Sequence, residues 1–294
     1  MPFANPQYLV QTDWLAEHLN DPNLRVFDCT VFLRSDKDRG FRIESGREEW
    51  AESHIPGSGF VDLANDLSDQ DATLRFTMPS AAQFAEAIGS YGISNDSHVI
   101  LYDRAGAMWA ARIWWMLRAM GFDNAALLNG GWKKWRDEGR AVSADAPTYP
   151  ATTFTAALRE GLIAAQPDVL TGIDDGATCI VNALSEEQHA GTVSPYGRPG
   201  HIASSVNVPA MGAGGVIDAE TGAYKSAAEL QSMFASAGAL DAGRVITYCG
   251  GGIAASSDAF VLTLLGHENV AVYDASLSEW AADPALPMTN PVEA

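Results

Sequence analysis

Along this chain, short runs rich in β-branched and aromatic residues alternate with longer Ala- and Leu-rich stretches of helical period, the pattern of a parallel sheet flanked by helices. In the first half the runs Arg25–Cys29, Gly59–Leu63, Val99–Tyr102 and Ala125–Leu128 predict strands, with helices over Ser80–Tyr91 and Met108–Met120. In the second half strands are expected at Thr178–Ala183, Ser205–Val208, Arg244–Tyr248 and Val270–Tyr273, with helices over Ala227–Ser236 and Ala254–Leu265. Residues 141–160 carry small and polar residues and prolines without period, which suits a linker between a domain over 1–140 and another over 161–294.

The two halves are copies. His54-Ile55-Pro56-Gly57 recurs 147 residues later as His201-Ile202-Ala203-Ser204, and Val99-Ile100-Leu101-Tyr102-Asp103 recurs at an offset of 146 as Val245-Ile246-Thr247-Tyr248-Cys249. Gly121-Phe122-Asp123-Asn124 with Trp135 recurs at 145 as Gly266-His267-Glu268-Asn269 with Trp280. Ordered matches at a nearly constant offset predict two α/β domains of one architecture.

Charge and composition narrow the function. With 294 residues, 18 Lys and Arg stand against 37 Asp and Glu, and a net charge of −19 opposes binding to nucleic acid or anionic lipid. The richest apolar stretch, Ala105 to Met120, is interrupted by Arg112 and Arg118, so no membrane span is expected, and the N-terminus does not read as a signal peptide. Three cysteines, Cys29, Cys179 and Cys249, lack metal spacing and are too few for a disulfide framework, which fits a reducing cytoplasm.

The chemistry concentrates at Tyr248-Cys249-Gly250-Gly251-Gly252-Ile253-Ala254, which reads as strand, glycine loop and helix. A cysteine at the carboxyl end of a parallel strand faces the crevice where open α/β sheets bind ligands. Glycines let the loop turn N–H groups inward, and the helix adds the positive end of its dipole, so Gly250, Gly251, Gly252, Ile253 and Ala254 should cradle an anion around Cys249. The same donors favour thiolate over thiol and make the sulfur a nucleophile. Cys29 and Cys179 fall in apolar runs and are expected in the core. The first half has Asp103 where the second has Cys249, and a carboxylate is no sulfur nucleophile, so one site per chain is expected. Cysteine-dependent phosphatases share the strand–loop–helix logic but need Cys-x5-Arg, and Ala255 stands at that arginine position.

These residues, together with Ala111–Arg118 and Leu128-Asn129-Gly130-Gly131-Trp132, resemble the tandem-domain rhodanese family of thiosulfate and 3-mercaptopyruvate sulfurtransferases over most of the chain. The resemblance implies two rhodanese-like domains, the first inactive, and a sulfur transfer through a Cys249 persulfide. The partners would be a small anionic sulfur donor and a thiol or cyanide acceptor, with neither metal nor organic cofactor. An uncharged cysteine loop is closer to members that use 3-mercaptopyruvate, although Gly251 stands where those carry a hydroxyl residue. The resemblance further implies donor binding at Arg198, with Gln188 in place of a second arginine, and a proton relay of His54 with Glu44. Against the relay, the recurrence of His54 as His201 favours a histidine that fixes its own turn, and Arg104 and Arg112 read as structural within the first domain. The competing reading is a rhodanese-like module that binds or senses redox state without catalysis.

Overall fold

In the computed structural model, which describes residues 2–36 and 40–292, the copied sequence folds into two copies of one sheet. The first contains β1 (Leu9–Val10), β2 (Leu24–Asp28), β5 (Gly59–Phe60), β6 (His98–Tyr102) and β7 (Ala125–Leu128), with the hairpin β3 (Val31–Asp36) and β4 (Gly40–Ser45) outside it. The second contains β8 (Ile163–Ala164), β9 (Thr178–Asn182), β11 (Val206–Asn207), β12 (Arg244–Tyr248) and β13 (Val270–Tyr273), while β10 (His201–Ile202) pairs with β14 (Met288–Thr289) at the side. The spatial orders are β1-β7-β6-β2-β5 and β8-β13-β12-β9-β11, all parallel. The same strand thus occupies the centre of each sheet, and Asp103 and Cys249 follow these two central strands.

The helices are α1 (Thr12–His18), α2 (Arg47–Glu52), α3 (Ala81–Ser90), α4 (Met108–Ala119) and α5 (Gly131–Asp137) in the first domain. Those of the second are α6 (Gln166–Asp174), α7 (Glu186–His189), α8 (Ala227–Ser236), α9 (Ile253–Leu264) and α10 (Ser276–Trp280). Among the described residues none is long and apolar enough to cross a membrane. α3 and α8 each start on a serine capping box, Ser80 with Gln83 and Ser226 with Glu229. α4 and α9 are buried on nearly every side because they pack against each other as well as on their own sheets, with Trp114 edge-on to Phe260 at 4.8 Å. The domain interface is therefore an extension of the core.

Segment 138–162 forms no helix or strand, but it is held down. Thr152, Ala157 and Arg159 donate main-chain hydrogen bonds to the carbonyls of Gly89, Met120 and Ala119 of the first domain, respectively, and buried Phe154 packs against Phe84 and Phe122. The edge strands β1 and β8, the hairpin and the short helices α1, α2, α5, α6, α7 and α10 go beyond the elements expected from hydrophobic period. The edge strands and the helices α1, α2, α5, α7 and α10, of seven residues or fewer, are too short to show a period of their own.

One tie joins the His-Ile corners to the site strands. Tyr102, just before Asp103, makes hydrogen bonds with Ile55 N–H and Ser58 Oγ. Tyr248, just before Cys249, does the same with Ile202 N–H and Ser205 Oγ.

Candidate active site

The loop after β6 and the loop after β12 can be compared atom by atom. In the first, Asp103 turns its carboxylate into its own loop. Oδ1 accepts from Ala105 and Ala107 N–H at 2.8 and 2.9 Å, and Oδ2 accepts from Trp109 and Ala110 N–H, both at 3.0 Å. The group is buried, and desolvation raises its pKa against the lowering effect of those four donors. In the first domain the strand–loop–helix turn is thus a cradle of N–H groups filled by the Asp103 side chain itself.

The second loop is one residue shorter. The left-handed residue that caps α4 is Ala107, four positions after Asp103, whereas the one that caps α9 is Gly252, three after Cys249. This explains the fall of the repeat offset from 146 to 145. By the caps, Trp109 and Ala110 correspond to Ala254 and Ala255. Among the described residues, the N–H groups of Gly250, Gly251, Ile253, Ala254 and Ala255 have no hydrogen-bond acceptor in the protein. Gly252 departs from the expectation. Its N–H donates to Ser276 Oγ at 3.2 Å, alongside that of Cys249 at 3.0 Å, so its contribution is the left-handed turn.

Ser276, which sequence reasoning missed, also donates from Oγ to Tyr273 O at 2.7 Å and is itself left-handed at φ 51°. Its counterpart in the first domain is Gly131, at φ 53°. A hydroxyl has thus been added at a position where the backbone favours glycine, and that hydroxyl ties down the cysteine loop. The signal lay in the repeat, as Gly130-Gly131-Trp132 against Ala275-Ser276-Leu277.

Cys249 is 3% exposed and lies on a cavity of about 550 Å³ between the domains. The second domain lines it with Cys249, Gly250, Gly251, Ala254, Gln188 and Tyr196; the first contributes Arg75, Phe76, Met108, Trp109 and the cross-strand pair Leu33 and Ile43 of the hairpin. Tyr196 is a second residue missed from sequence. Its ring lies so close over Gly250 that a Cβ there would come within 2.0 Å of it, so any larger residue would displace the tyrosine. Burial, with the charge of Cys249, pushes the Tyr196 phenol up.

Arg112 is a buried structural residue of the first domain, as expected, but it also reaches across the interface. Fully buried in α4, it pairs with Asp274 at the end of β13, donates to Phe76 O at 2.8 Å, and would meet a Cβ on Gly252 at 3.1 Å. Asp274 in turn accepts from Met78 N–H at 2.9 Å. A cation of the first domain thus backs the cysteine loop of the second.

The structure corrects several expected roles. Arg198 is not on the cavity: its guanidinium donates to the carbonyls of Trp280, Ala281, Asp283 and Leu286, which fastens the end of α10 and the turn after it and leaves no fork for a donor. Gln188 does line the cavity, while its side chain completes the Ser185 capping box of α7. His54 and Glu44 form no relay. The buried His54 ring stacks on Trp50 and faces the carbonyls of Trp50 and Asp145 at 2.7 and 3.2 Å, while Glu44 pairs with Arg34 and Arg42 on the hairpin. His201 is bound similarly, with Nδ1 at 2.7 Å from His189 O, so both histidines fix their corners. Cys29 is buried, as expected. Cys179 is half-buried at the start of β9, and burial raises both thiols.

Known proteins agree with this architecture. The family described as Rhodanese-like domain matches residues 11–138 and 166–283. The thiosulfate sulfurtransferase of Rattus norvegicus is 33% identical over 282 residues, covering 92% of this chain and 91% of the relative. The 3-mercaptopyruvate sulfurtransferase of Escherichia coli K12 is 31% identical over 284 residues, covering 96% and 97%. The crystal structure of SseA from Escherichia coli, described as a 3-mercaptopyruvate sulfotransferase, superposes with a TM-score of 0.80 at 30% identity, over 92% of this chain and 98% of that one. With two matched segments on two copies of one parallel sheet, this chain belongs to the rhodanese family.

Proposed function

We propose that the chain is a sulfurtransferase that carries sulfane sulfur on Cys249. The observation that supports this most strongly is the pair of cradles: one is filled by the Asp103 carboxylate on four N–H groups, while the other has unclaimed N–H groups around a cysteine on a cavity. In the first half-reaction the Cys249 thiolate attacks the outer sulfur of the donor. With thiosulfate the S–S bond breaks and sulfite leaves with the electron pair. With 3-mercaptopyruvate the C–S bond breaks, and the thiol proton ends on the methyl carbon of pyruvate. Either way Cys249 becomes a persulfide whose terminal sulfur is anionic. A thiolate or cyanide then attacks that terminal sulfur and restores the thiolate. Negative charge sits beside Cys249 at each stage, where main-chain N–H groups and the end of α9 stabilise it. Arg112 adds a positive charge behind the loop, partly offset by Asp274.

The uncharged loop favours 3-mercaptopyruvate over thiosulfate as donor, and steady-state comparison of the two on one preparation decides between them. The transfer itself is tested by intact mass. Either donor should add ~32 Da, one sulfur atom, to the wild type and nothing to Cys249→Ser. An unmodified wild-type mass after both donors would support the non-catalytic module instead.

A further inference from the structure

The anionic donor must find positive charge on a protein of net charge −19, and Arg198 is spent on carbonyls. Among the described residues lining the Cys249 cavity, Arg75 is the only charged side chain. It belongs to the first domain, is exposed, and makes no ion pair or side-chain hydrogen bond with any other described residue. The chain around it is fixed in place. Phe76 is left-handed at φ 62° and its ring meets Trp109 edge-on at 5.4 Å. Its carbonyl accepts from Arg112, and Met78 N–H donates to Asp274 of the second domain. A bulky residue in the left-handed region persists only where its surroundings hold it there, and here those surroundings are the groups that back the cysteine loop. The opposite wall offers polar but uncharged groups, Gln188, Tyr196 and Ser278.

We propose that Arg75 binds the carboxylate or sulfonate of the sulfur donor, so that the inactive domain supplies the charge that selects substrates for the active one. This assignment rests on the sulfurtransferase reading above. A guanidinium fork fits either planar carboxylate or sulfonate oxygens, and a cation at the mouth of an otherwise uncharged cavity orients the donor with its sulfur toward Cys249. Arg75 is a binding residue, so its removal should appear in KM and leave the cysteine itself unchanged.

The test is single-turnover sulfur loading, read by intact mass against donor concentration, for wild type, Arg75→Gln and Arg75→Lys, beside alkylation of Cys249 by the uncharged reagent iodoacetamide. The half-saturating concentration of thiosulfate and of 3-mercaptopyruvate should rise about tenfold or more in Arg75→Gln, the loss of one charge-assisted contact. Arg75→Lys should recover part of it, and alkylation should stay within about twofold of wild type. Unchanged donor saturation in Arg75→Gln overturns the assignment, and so does an equal loss of loading and alkylation, which would mean that the residue acts through the loop. A wild type that accepts no sulfur from either donor would instead refute the sulfurtransferase reading.

Discussion

Asp103 and Cys249 end equivalent strands of equivalent sheets, yet one side chain is consumed by its loop and the other is left facing a cavity. Three differences separate them. The second loop is one residue shorter, Ser276 replaces Gly131 and draws two loop N–H groups back toward itself, and Arg112 reaches over from the first domain to lie against Gly252. The first copy shows what this turn does physically: it collects four main-chain donors on one carboxyl group. The second copy keeps several donors free and ties two others to the Ser276 hydroxyl, which under the proposed function leaves room for a sulfur anion. On the proposed function, catalysis would follow from leaving a binding site unfilled in one of two copies.

The comparison predicts a graded set of effects. The largest is for Cys249→Asp, which installs the first domain's solution in the second. Sulfur transfer should vanish in a thiocyanate-release assay while the far-UV spectrum and cooperative unfolding remain. Asp103→Ala should leave the Cys249 chemistry in place but cost about 3 kcal/mol or more in denaturant unfolding, because four buried N–H donors lose their acceptor. Ser276→Gly, restoring the glycine of the first copy, should lower kcat by about tenfold through a looser loop. Stability should change little there, because lost hydrogen bonds and relieved left-handed strain offset each other; a kcat within twofold of wild type would show that the hydroxyl does not hold the loop.

The smallest effect concerns Asp258 in α9, whose counterpart in α4 is Ile113. Both Asp258 oxygens are buried without a partner, and desolvation raises its carboxyl well above the usual range. The folded state therefore keeps a proton that the unfolded chain releases above about pH 4, so stability falls as pH rises from there until the folded pKa is passed. Asp258→Asn removes that dependence, and its Tm advantage over wild type should grow by a few degrees between pH 4 and pH 7. A constant difference would mean that the carboxyl is ionised in the fold.

The central sheets were legible from the chain because β6 and β12 are apolar runs that recur at a fixed offset, and the place of Cys249 at a strand end was legible because three glycines separate the apolar run from the helical one. Arg198 misled because a sequence shows a guanidinium but not the four carbonyls around it. The His54–Glu44 relay failed because Glu44 sits on a hairpin whose strands show no pattern distinct from loop, and its partners are the arginines beside it. Arg112 and Arg75 were hidden by distance in sequence: their role comes from two domains closing on each other, which no local pattern records. Ser276 was present in the repeat but needed the left-handed angles of Ser276 and Gly131 to give the exchange meaning.

The most direct test is a crystal structure of the donor-treated protein. The account predicts extra density for one sulfur on Cys249 Sγ, within hydrogen-bonding distance of N–H groups among Gly250, Gly251, Ile253, Ala254 and Ala255, as the Asp103 carboxylate lies in its own turn. Sulfur on Cys29 or Cys179, or a Cys249 persulfide directed away with those N–H groups left unengaged, would contradict it.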